Sequence, residues 1–196
     1  MLTLCIDTAY KYLGVALIQD SKILASESFP CFKKQSEELF VILKQVFDMA
    51  GIDPKQIDSI CISKGPGSYT GTRIAMTVAK VIGQVLPCDV YTISTLQLYA
   101  SGNANTMVIM NARANRAYVG VYDKNATVVE DHIEDISNID VRDYNIVGDG
   151  TLVNKEDTYP DIGDAFLNTK PAWQKVENIA FLVPEYLKES ESYFND

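Results

Sequence analysis

Histidine is nearly absent from this sequence, and its cysteines are few and scattered. A single histidine, His132, stands among 196 residues, which excludes a metal centre that needs two imidazoles. We interpret His132 as a solvated surface residue because acidic residues surround it. The cysteines form no Cys-x-x-Cys pair, so buried reduced thiols are expected instead of a zinc site or a disulfide framework. They are Cys5, Cys31, Cys61 and Cys88.

Long apolar runs and basic residues are also scarce. No run approaches the roughly 20 apolar residues of a membrane span, and the first residues carry neither a basic flank nor a cleavage pattern. The 17 basic residues are outnumbered by 26 acidic ones, and the net charge of -9 repels phosphate backbones. We therefore expect a cytoplasmic protein without a membrane partner, which contacts RNA only through another protein.

The order of segments in the first half predicts a mixed sheet with helices packed against it. Ser36 is expected to cap the first helix and Gly51 to end it. The βββαβαβα order predicts the ribonuclease-H-like half of the actin-like ATPase architecture. The predicted strands are residues 2–6, 12–19, 22–29, 59–63 and 89–93. The predicted helices are residues 36–50, a second that ends near 86, and a third from Ser94 to near 102.

The second half restarts the same pattern in a shorter form. Strands are expected at residues 107–111, 117–124, 127–133 and 145–147. A helix over 176–187 would be interrupted by Pro184. The expected fold is therefore α/β, with two βββαβα-type lobes of which the second is reduced. We place the lobes at residues 1–102 and 103–196.

A glycine-rich loop follows the fourth predicted strand and reads Lys64-Gly-Pro-Gly-Ser-Tyr-Thr-Gly71. Glycines between a strand and a helix let backbone amides turn toward an anion at the helix N-terminus. The loop is not a Walker A sequence, because no Lys-Ser/Thr pair follows Gly71. A strand-to-helix hinge with close backbone packing explains the same glycines, so both interpretations stay open.

Four short motifs lie at ends of predicted strands and starts of predicted helices. They are Ile6-Asp-Thr-Ala9, Gly65-Pro-Gly-Ser-Tyr-Thr-Gly-Thr-Arg-Ile74, Ser94-Thr-Leu96 and Asn111-Ala-Arg113. In order and spacing they resemble the TsaB (YeaZ) family, a bacterial part of the machinery that makes threonylcarbamoyladenosine in tRNA. The resemblance covers residues 1–122. Later, only Gly148-Asp-Gly150 and Pro184-Glu-Tyr-Leu187 look similar to the family.

The resemblance implies a non-catalytic protein of actin-like ATPase fold. Such proteins bind and activate a larger paralogue, TsaD, and work with TsaD and the small ATPase TsaE. The complex transfers threonylcarbamoyl to the adenosine beside the tRNA anticodon. TsaD-like catalysis needs a metal held by His-x-x-x-His, which one histidine does not supply. Peptidase chemistry is not expected, because Ser68 lacks a Gly-x-Ser-x-Gly context.

The resemblance also suggests where a nucleotide would bind. No cofactor of its own is expected for this chain, although ATP or ADP at a composite site with its partners is compatible with the family. An alternative role for Asp7 and Thr8 is to hydrogen-bond the turn into the second strand. Whether Lys11 and Lys64 contact phosphate or solvent stays open. The candidate nucleotide-binding residues are Asp7, Thr8, Gly65, Gly67, Ser68 and Gly71.

The second helix is apolar over an arc of about 220°, more than one sheet face can bury. Either the helix is clamped inside the chain, or part of the arc is an interface. The resemblance implies an interface with TsaD, and with a second copy of the chain when TsaD is absent. On this hypothesis Ala79→Glu would abolish the complex and leave the fold intact. The candidate interface residues are Thr72, Arg73, Met76, Ala79, Lys80 and Gly83.

Two positions depart from the family pattern. Gln35 stands where His is expected, and Asn111 stands where Asp is expected, so two ionisable groups are missing. Both departures weaken the case for nucleotide chemistry. Two competing hypotheses remain. One is a self-sufficient actin-like ATPase or small-molecule kinase that uses Asp7 and the glycine loop, and the other is a structural homodimer outside the tRNA pathway.

Overall fold

Two β-sheets organise the structure, a computed structural model that describes residues 1–31, 34–141 and 143–187. The first sheet has the strand order β10-β5-β4-β1-β2-β3 and the second has the order β8-β7-β6-β9. The strands are β1 (Leu2–Asp7), β2 (Tyr12–Gln19), β3 (Lys22–Pro30), β4 (Ser59–Ser63), β5 (Asp89–Ile93), β6 (Thr106–Arg113), β7 (Arg116–Asp123), β8 (Ala126–Asp135), β9 (Asn145–Gly148) and β10 (Gln174–Lys175). The helices are α1 (Gln35–Ala50), α2 (Tyr69–Val85), α3 (Thr95–Ala100) and α4 (Ile162–Asn168).

The first sheet is mixed, as the sequence predicts. Strand β1 is antiparallel to β2 and parallel to β4, and β4 is parallel to β5. Strands β1 and β4 are buried along their whole length because helices or the second sheet cover both faces. The prediction of a ribonuclease-H-like half is confirmed.

Helices α1 and α2 cover one face of this sheet, and their inner side chains form one core with it. The other face packs against α3, α4 and the inner face of the second sheet. Helix α1 begins one residue earlier than predicted, and its N-cap residue Lys34 makes no side-chain capping bond. Ser36 as N-cap is therefore wrong. Gly51 ends the helix in a left-handed conformation, with φ of 66°, as predicted.

The second sheet repeats the first in shortened form. Strand β6 is antiparallel to β7 and parallel to β9, as β1 is to β2 and β4. Between β8 and β9, the described residues form only a 3-10 turn, Ile136–Asn138, where the first lobe has α1. The expected reduced second lobe is confirmed.

The end of the chain differs from the prediction. Only a 3-10 turn, Ile179–Phe181, forms in the segment where a helix over 176–187 was expected. Pro184 has no amide hydrogen and disfavours a helical conformation at the residue before it, so the segment stays extended. Helix α4 was not predicted. It packs against β2 and β3, and β10 pairs with β5, so both elements contact the first sheet.

The division of the chain at residue 102 stays a prediction. Among the described residues, no helix is both long and apolar enough to cross a membrane.

Candidate functional site

Asp7, at the end of β1, is completely buried and accepts three hydrogen bonds from within the chain. Its Oδ1 accepts from the Ser63 hydroxyl at 2.5 Å and from the Ala9 amide at 3.0 Å. Its Oδ2 accepts from the Tyr99 hydroxyl at 3.1 Å. Burial raises the pKa of Asp7 above its usual value, and these hydrogen bonds oppose the rise. The carboxylate thus joins the turn after β1 to β4 and α3.

Thr8 joins the same turn to α2. Its buried hydroxyl donates to the carbonyl of Gly71 at 2.6 Å and accepts from the amide of Ala75 at 3.2 Å. These two backbone groups are four residues apart, the spacing of an α-helical hydrogen bond. The hydroxyl is therefore built into the first turns of α2.

The glycine loop packs directly on the turn after β1. A Cβ at Gly67 would overlap the carbonyl oxygen of Ala9, and a Cβ at Gly71 would overlap that of Thr8. Both neighbours are backbone atoms that a side-chain rotation cannot move away. These two glycines are thus required by close backbone packing.

Three amides of the loop and of the first turn of α2 bond within the chain. The Ser68 amide donates to the Ala9 carbonyl at 2.7 Å, and the Gly71 amide donates to the Ser68 hydroxyl at 3.2 Å. The Thr72 amide donates to the Ser68 carbonyl at 3.0 Å, while the Gly65 carbonyl accepts from Thr95 at 2.8 Å. The structure thus brings the candidate nucleotide residues together as one packed hinge, and nucleotide binding by them stays a prediction.

Half of the candidate interface residues on α2 face inward. Met76 and Ala79 are buried in the core between α2 and the first sheet, and Thr72 is buried beside the glycine loop. A Cβ at Gly83 would meet the Ile179 side chain at 2.6 Å. The structure therefore supports the alternative in which this part of α2 packs inside the chain, and the assignment of these residues to a partner interface stays a prediction. For the same reason Ala79→Glu would disturb the core and does not probe a surface.

Arg73 and Lys80 do reach the surface of α2. The Arg73 guanidinium lies 5.2 Å from the centre of the Tyr69 ring and donates to the Tyr69 hydroxyl at 2.8 Å. The Tyr69 ring in turn stacks on Tyr186 with 5.3 Å between centroids. This cation–π contact compensates for placing a cation near the positive end of the helix dipole.

The segment that contains Tyr186 lies beside the glycine loop. The Glu185 amide donates a hydrogen bond to the Lys64 carbonyl at 2.8 Å. The Glu185 carboxylate also forms an ion pair with the Lys64 ammonium at 3.0 Å. Lys64 is therefore bound to a carboxylate of the same chain.

The outward sides of α1, α2 and the C-terminal segment carry large apolar side chains. Val81 and Val85 on α2 are 54% and 73% exposed, and Phe181 is 80% exposed. Most of the strongly exposed large apolar residues of the described chain belong to these three segments. They are Phe40, Val41, Met49, Val81, Val85, Phe181 and Val183. We call this set the apolar helix face.

A second buried carboxylate, which the sequence did not reveal, lies between the sheets. Asp149 follows β9 and is 2% exposed. It accepts hydrogen bonds from the Lys11 ammonium at 2.6 Å, from the Asn111 amide at 2.8 Å, and from the Tyr10 and Tyr159 hydroxyls. Burial alone would raise the pKa of Asp149, but these bonds outweigh it and lower the pKa below the usual value.

Two sequence features mark Asp149: it lies just after a predicted strand of the second lobe, and it belongs to the Gly148-Asp-Gly150 motif. Its partners Tyr10 and Lys11 stand 139 and 138 residues away, so no motif connects them. Two tyrosine rings in contact with each other also connect the two buried carboxylates. The Tyr159 ring meets that of Tyr99, the partner of Asp7, edge-on at 6.3 Å between centroids.

His132 lies on β8 of the second sheet and is half-buried, so it is less solvated than predicted. Its Nδ1 is 2.8 Å from the Glu130 carbonyl oxygen, and the side chain lines a cavity of about 300 Å³. Across residues 1–31, 34–141 and 143–187, no three His, Cys, Asp or Glu side chains group as metal ligands would.

Comparison with known proteins identifies relatives. Residues 31–144 match the sequence pattern of the family described as TsaD, tRNA N6-adenosine threonylcarbamoyltransferase. The tRNA threonylcarbamoyladenosine biosynthesis protein TsaB of Bacillus subtilis is 28% identical over 74% of this chain and 64% of its own length. The TsaB protein of Escherichia coli is 29% identical over 63% of this chain and 56% of its own. The chain thus spans less than two thirds of the curated relatives it matches.

A solved structure shares the fold. YeaZ from Pseudomonas aeruginosa superposes with a TM-score of 0.81 and 22% identity, covering 95% of this chain and 99% of that one. A second Pseudomonas aeruginosa structure, described as similar to the peptidase YeaZ, gives a TM-score of 0.83 at 21% identity, over 95% and 99% of the two chains.

Proposed function

Because the chain belongs to the TsaD family of tRNA N6-adenosine threonylcarbamoyltransferases, and within it to the TsaB (YeaZ) group, we propose that it serves threonylcarbamoyladenosine synthesis as a non-catalytic scaffold. In this role it binds and activates a larger TsaD-like subunit, which transfers threonylcarbamoyl to the adenosine beside the tRNA anticodon. A TsaE-like ATPase is the third component. The tRNA is contacted through the complex, and ATP or ADP binds only where the partners complete a site.

The apolar helix face is the observation that carries this proposal. An isolated chain gains nothing from exposing Phe40, Val85 and Phe181 to water, whereas a partner surface that covers them contributes hydrophobic stabilisation. Helices α1 and α2 lie side by side on the same sheet face, so their outward side chains face the same direction. Such a helical layer suits packing against helices of another subunit.

The internal bonding of the nucleotide candidates supports a non-catalytic role. Asp7, which would organise a metal and phosphate in an actin-like ATPase, is already bonded to Ser63, Ala9 and Tyr99. The single histidine leaves no His-x-x-x-His pair for a TsaD-like metal. The competing ATPase hypothesis predicts ATP turnover by the isolated chain that Asp7→Ala abolishes, and that result would contradict the scaffold role.

Substitution on the apolar helix face tests the scaffold proposal. Val81→Asp places a charge at a position that is 54% exposed, so the fold should tolerate it. We expect at least a tenfold weaker interaction with the TsaD-like subunit of the same organism, about 1.4 kcal/mol, measured by calorimetry with purified proteins. Threonylcarbamoyladenosine formation by the reconstituted complex should fall in parallel.

Val128→Asp is the matched control. Val128 is 58% exposed, but it lies on β8 of the second sheet, outside the apolar helix face. This variant should bind the TsaD-like subunit as the unmodified chain does. Equal binding by both variants would show that the partner uses another surface, and no binding by the unmodified chain would overturn the scaffold role.

A further inference from the structure

Four hydrogen-bond donors converge on Asp149, and we call them the donor cradle. They are the Tyr10 hydroxyl, the Lys11 ammonium, the Asn111 amide and the Tyr159 hydroxyl. The donors also contact one another. Lys11 donates to the Tyr159 hydroxyl at 3.2 Å, and Asn111 donates to the Tyr10 hydroxyl at 2.8 Å.

The donor cradle is assembled from three separate parts of the chain. Tyr10 and Lys11 come from the turn between β1 and β2, Asn111 comes from β6, and Tyr159 precedes α4. Asp149 enters from the loop after β9, where it stands before a 3-10 turn but makes no side-chain cap to it. The carboxylate is therefore held by groups from the turn after β1, from β6 and from the segment before α4, and its side chain does not cap the 3-10 turn.

The composition of the donor cradle is that of an anion site. One ammonium, one backbone amide and two phenolic hydroxyls offer only donors to a single oxyanion, and charge-assisted bonds of this kind are strong. Without the carboxylate, these partly buried donors would lose the acceptor that they share, which is costly. The Lys11 side chain is 43% exposed, so a small anion can approach from that side.

We propose that the donor cradle is a binding site for an oxyanion, carboxylate or phosphate, and that Asp149 fills it from within. The protein's own carboxylate thereby excludes external phosphate from the junction and ties the two sheets together. This inference does not depend on the partner proposed above, and its test uses the chain alone. Lowering of the Asp149 pKa by the same donors is consistent with a carboxylate that stays ionised at neutral pH.

Chemical rescue of Asp149→Ala tests the proposal. Removal of the carboxylate should leave room for a small anion among the four donors. We expect 100 mM sodium formate, or 100 mM sodium phosphate, to raise the melting temperature of this variant by about 3 °C or more relative to sodium chloride of equal ionic strength. The unmodified chain, whose site is filled, should show no such difference.

Asp131→Ala is the matched control. Asp131 is a half-buried carboxylate, but it accepts from two neutral hydroxyls, those of Ser94 and Tyr122. Without a cation among these partners, formate and phosphate should not stabilise this variant more than chloride does. The double variant Lys11→Met/Asp149→Ala should lose the rescue for the same reason.

Each outcome decides the proposal. Rescue of Asp149→Ala by formate or by phosphate supports an anion site, and the anion that acts shows which oxyanion fits. The proposal is overturned if neither anion stabilises Asp149→Ala. It is also overturned if the melting temperatures of the unmodified chain and of Asp131→Ala rise as much as that of Asp149→Ala. Should Asp149→Ala be too unstable to purify folded, its refolding yield in formate against chloride gives the same comparison.

Discussion

The Thr8 hydroxyl lies between the carbonyl of Gly71 and the amide of Ala75, at 2.6 and 3.2 Å. Through this side chain, the turn after β1 is bonded to the first turns of α2. Helix α2 supplies part of the apolar helix face, so its position relative to the first sheet sets the direction of that surface. Thr8, for which the sequence left both nucleotide binding and hydrogen bonding within the turn open, thus has a structural role in this fold.

Thr8→Val removes this hydroxyl while keeping the shape of the side chain. We expect a loss of about 1–3 kcal/mol in the free energy of unfolding, because a buried carbonyl and a buried amide lose a partner. Urea denaturation measures the difference. Thr77→Val is the control, since the exposed Thr77 hydroxyl donates to the Arg73 carbonyl at 2.7 Å, and its loss should cost less than about 0.5 kcal/mol. Equal losses in both variants would contradict a special role for Thr8.

Gly71→Ala should be severely destabilising. The added Cβ would overlap the Thr8 carbonyl oxygen, a backbone atom, so the turn and α2 must move apart. A loss of more than about 3 kcal/mol is expected, seen as a lower yield of folded protein and an earlier urea midpoint. Thr70→Ala, one position earlier on the exposed side of α2, should change stability by less than about 0.5 kcal/mol. A stable Gly71→Ala protein would show that the packing there is loose.

How much of this site follows from sequence depends on the distance along the chain between partners. The glycine loop and the strand end at Asp7 are local features, and each lies where the motifs predict. The Tyr99 hydroxyl that bonds Asp7 comes from 92 residues away, and nothing local indicates it. The donor cradle around Asp149 is hidden for the same reason.

Local sequence patterns also fail to predict two features that tertiary packing determines, helix α4 and the inward face of α2. Helix α4 spans only seven residues, and Gly163 weakens its helical pattern, so no local pattern predicts it. It forms because Ile162 and Phe166 are buried in the core between the sheets. On α2 the apolar arc is too wide to tell inside from outside, and only the structure separates buried Ala79 from exposed Val81.

The two buried carboxylates should give opposite pH dependences. The pKa of Asp149 is lowered in the folded chain, so its ionised form stabilises the fold above the usual carboxyl pKa of about 3.9, and this contribution is lost as the pH falls through the folded pKa. Asp149→Asn should therefore be less stable than the unmodified chain at pH 7, by about 1–3 kcal/mol in the free energy of unfolding. This difference should become smaller below about pH 4. Urea unfolding between about pH 2.5 and pH 7 measures this difference, because the loss occurs below the usual carboxyl pKa.

Asp7 should behave in the opposite way. Burial raises its folded pKa, so the folded chain holds this proton more tightly than the unfolded chain, and stability falls as the pH rises from the usual value through the raised one. Asp7→Asn lacks this titration, so its stability relative to the unmodified chain should improve with rising pH over that range. The same unfolding series tests this expectation. If the stability differences between the unmodified chain and the two variants changed with pH in the same direction, opposite pKa shifts of Asp7 and Asp149 would be contradicted.

Self-association of the chain without its partner tests the apolar helix face independently of the tRNA pathway. Two copies that cover each other's exposed valines and Phe181 would bury the same surface that a TsaD-like subunit is proposed to cover. Sedimentation velocity over a range of concentrations should show a dimer. Val85→Asp, at a position that is 73% exposed, should weaken it at least tenfold, and Val128→Asp should not. A dimer that both variants leave intact would place self-association elsewhere on the chain, because a charge desolvated in an apolar contact without a partner cannot be neutral in energy.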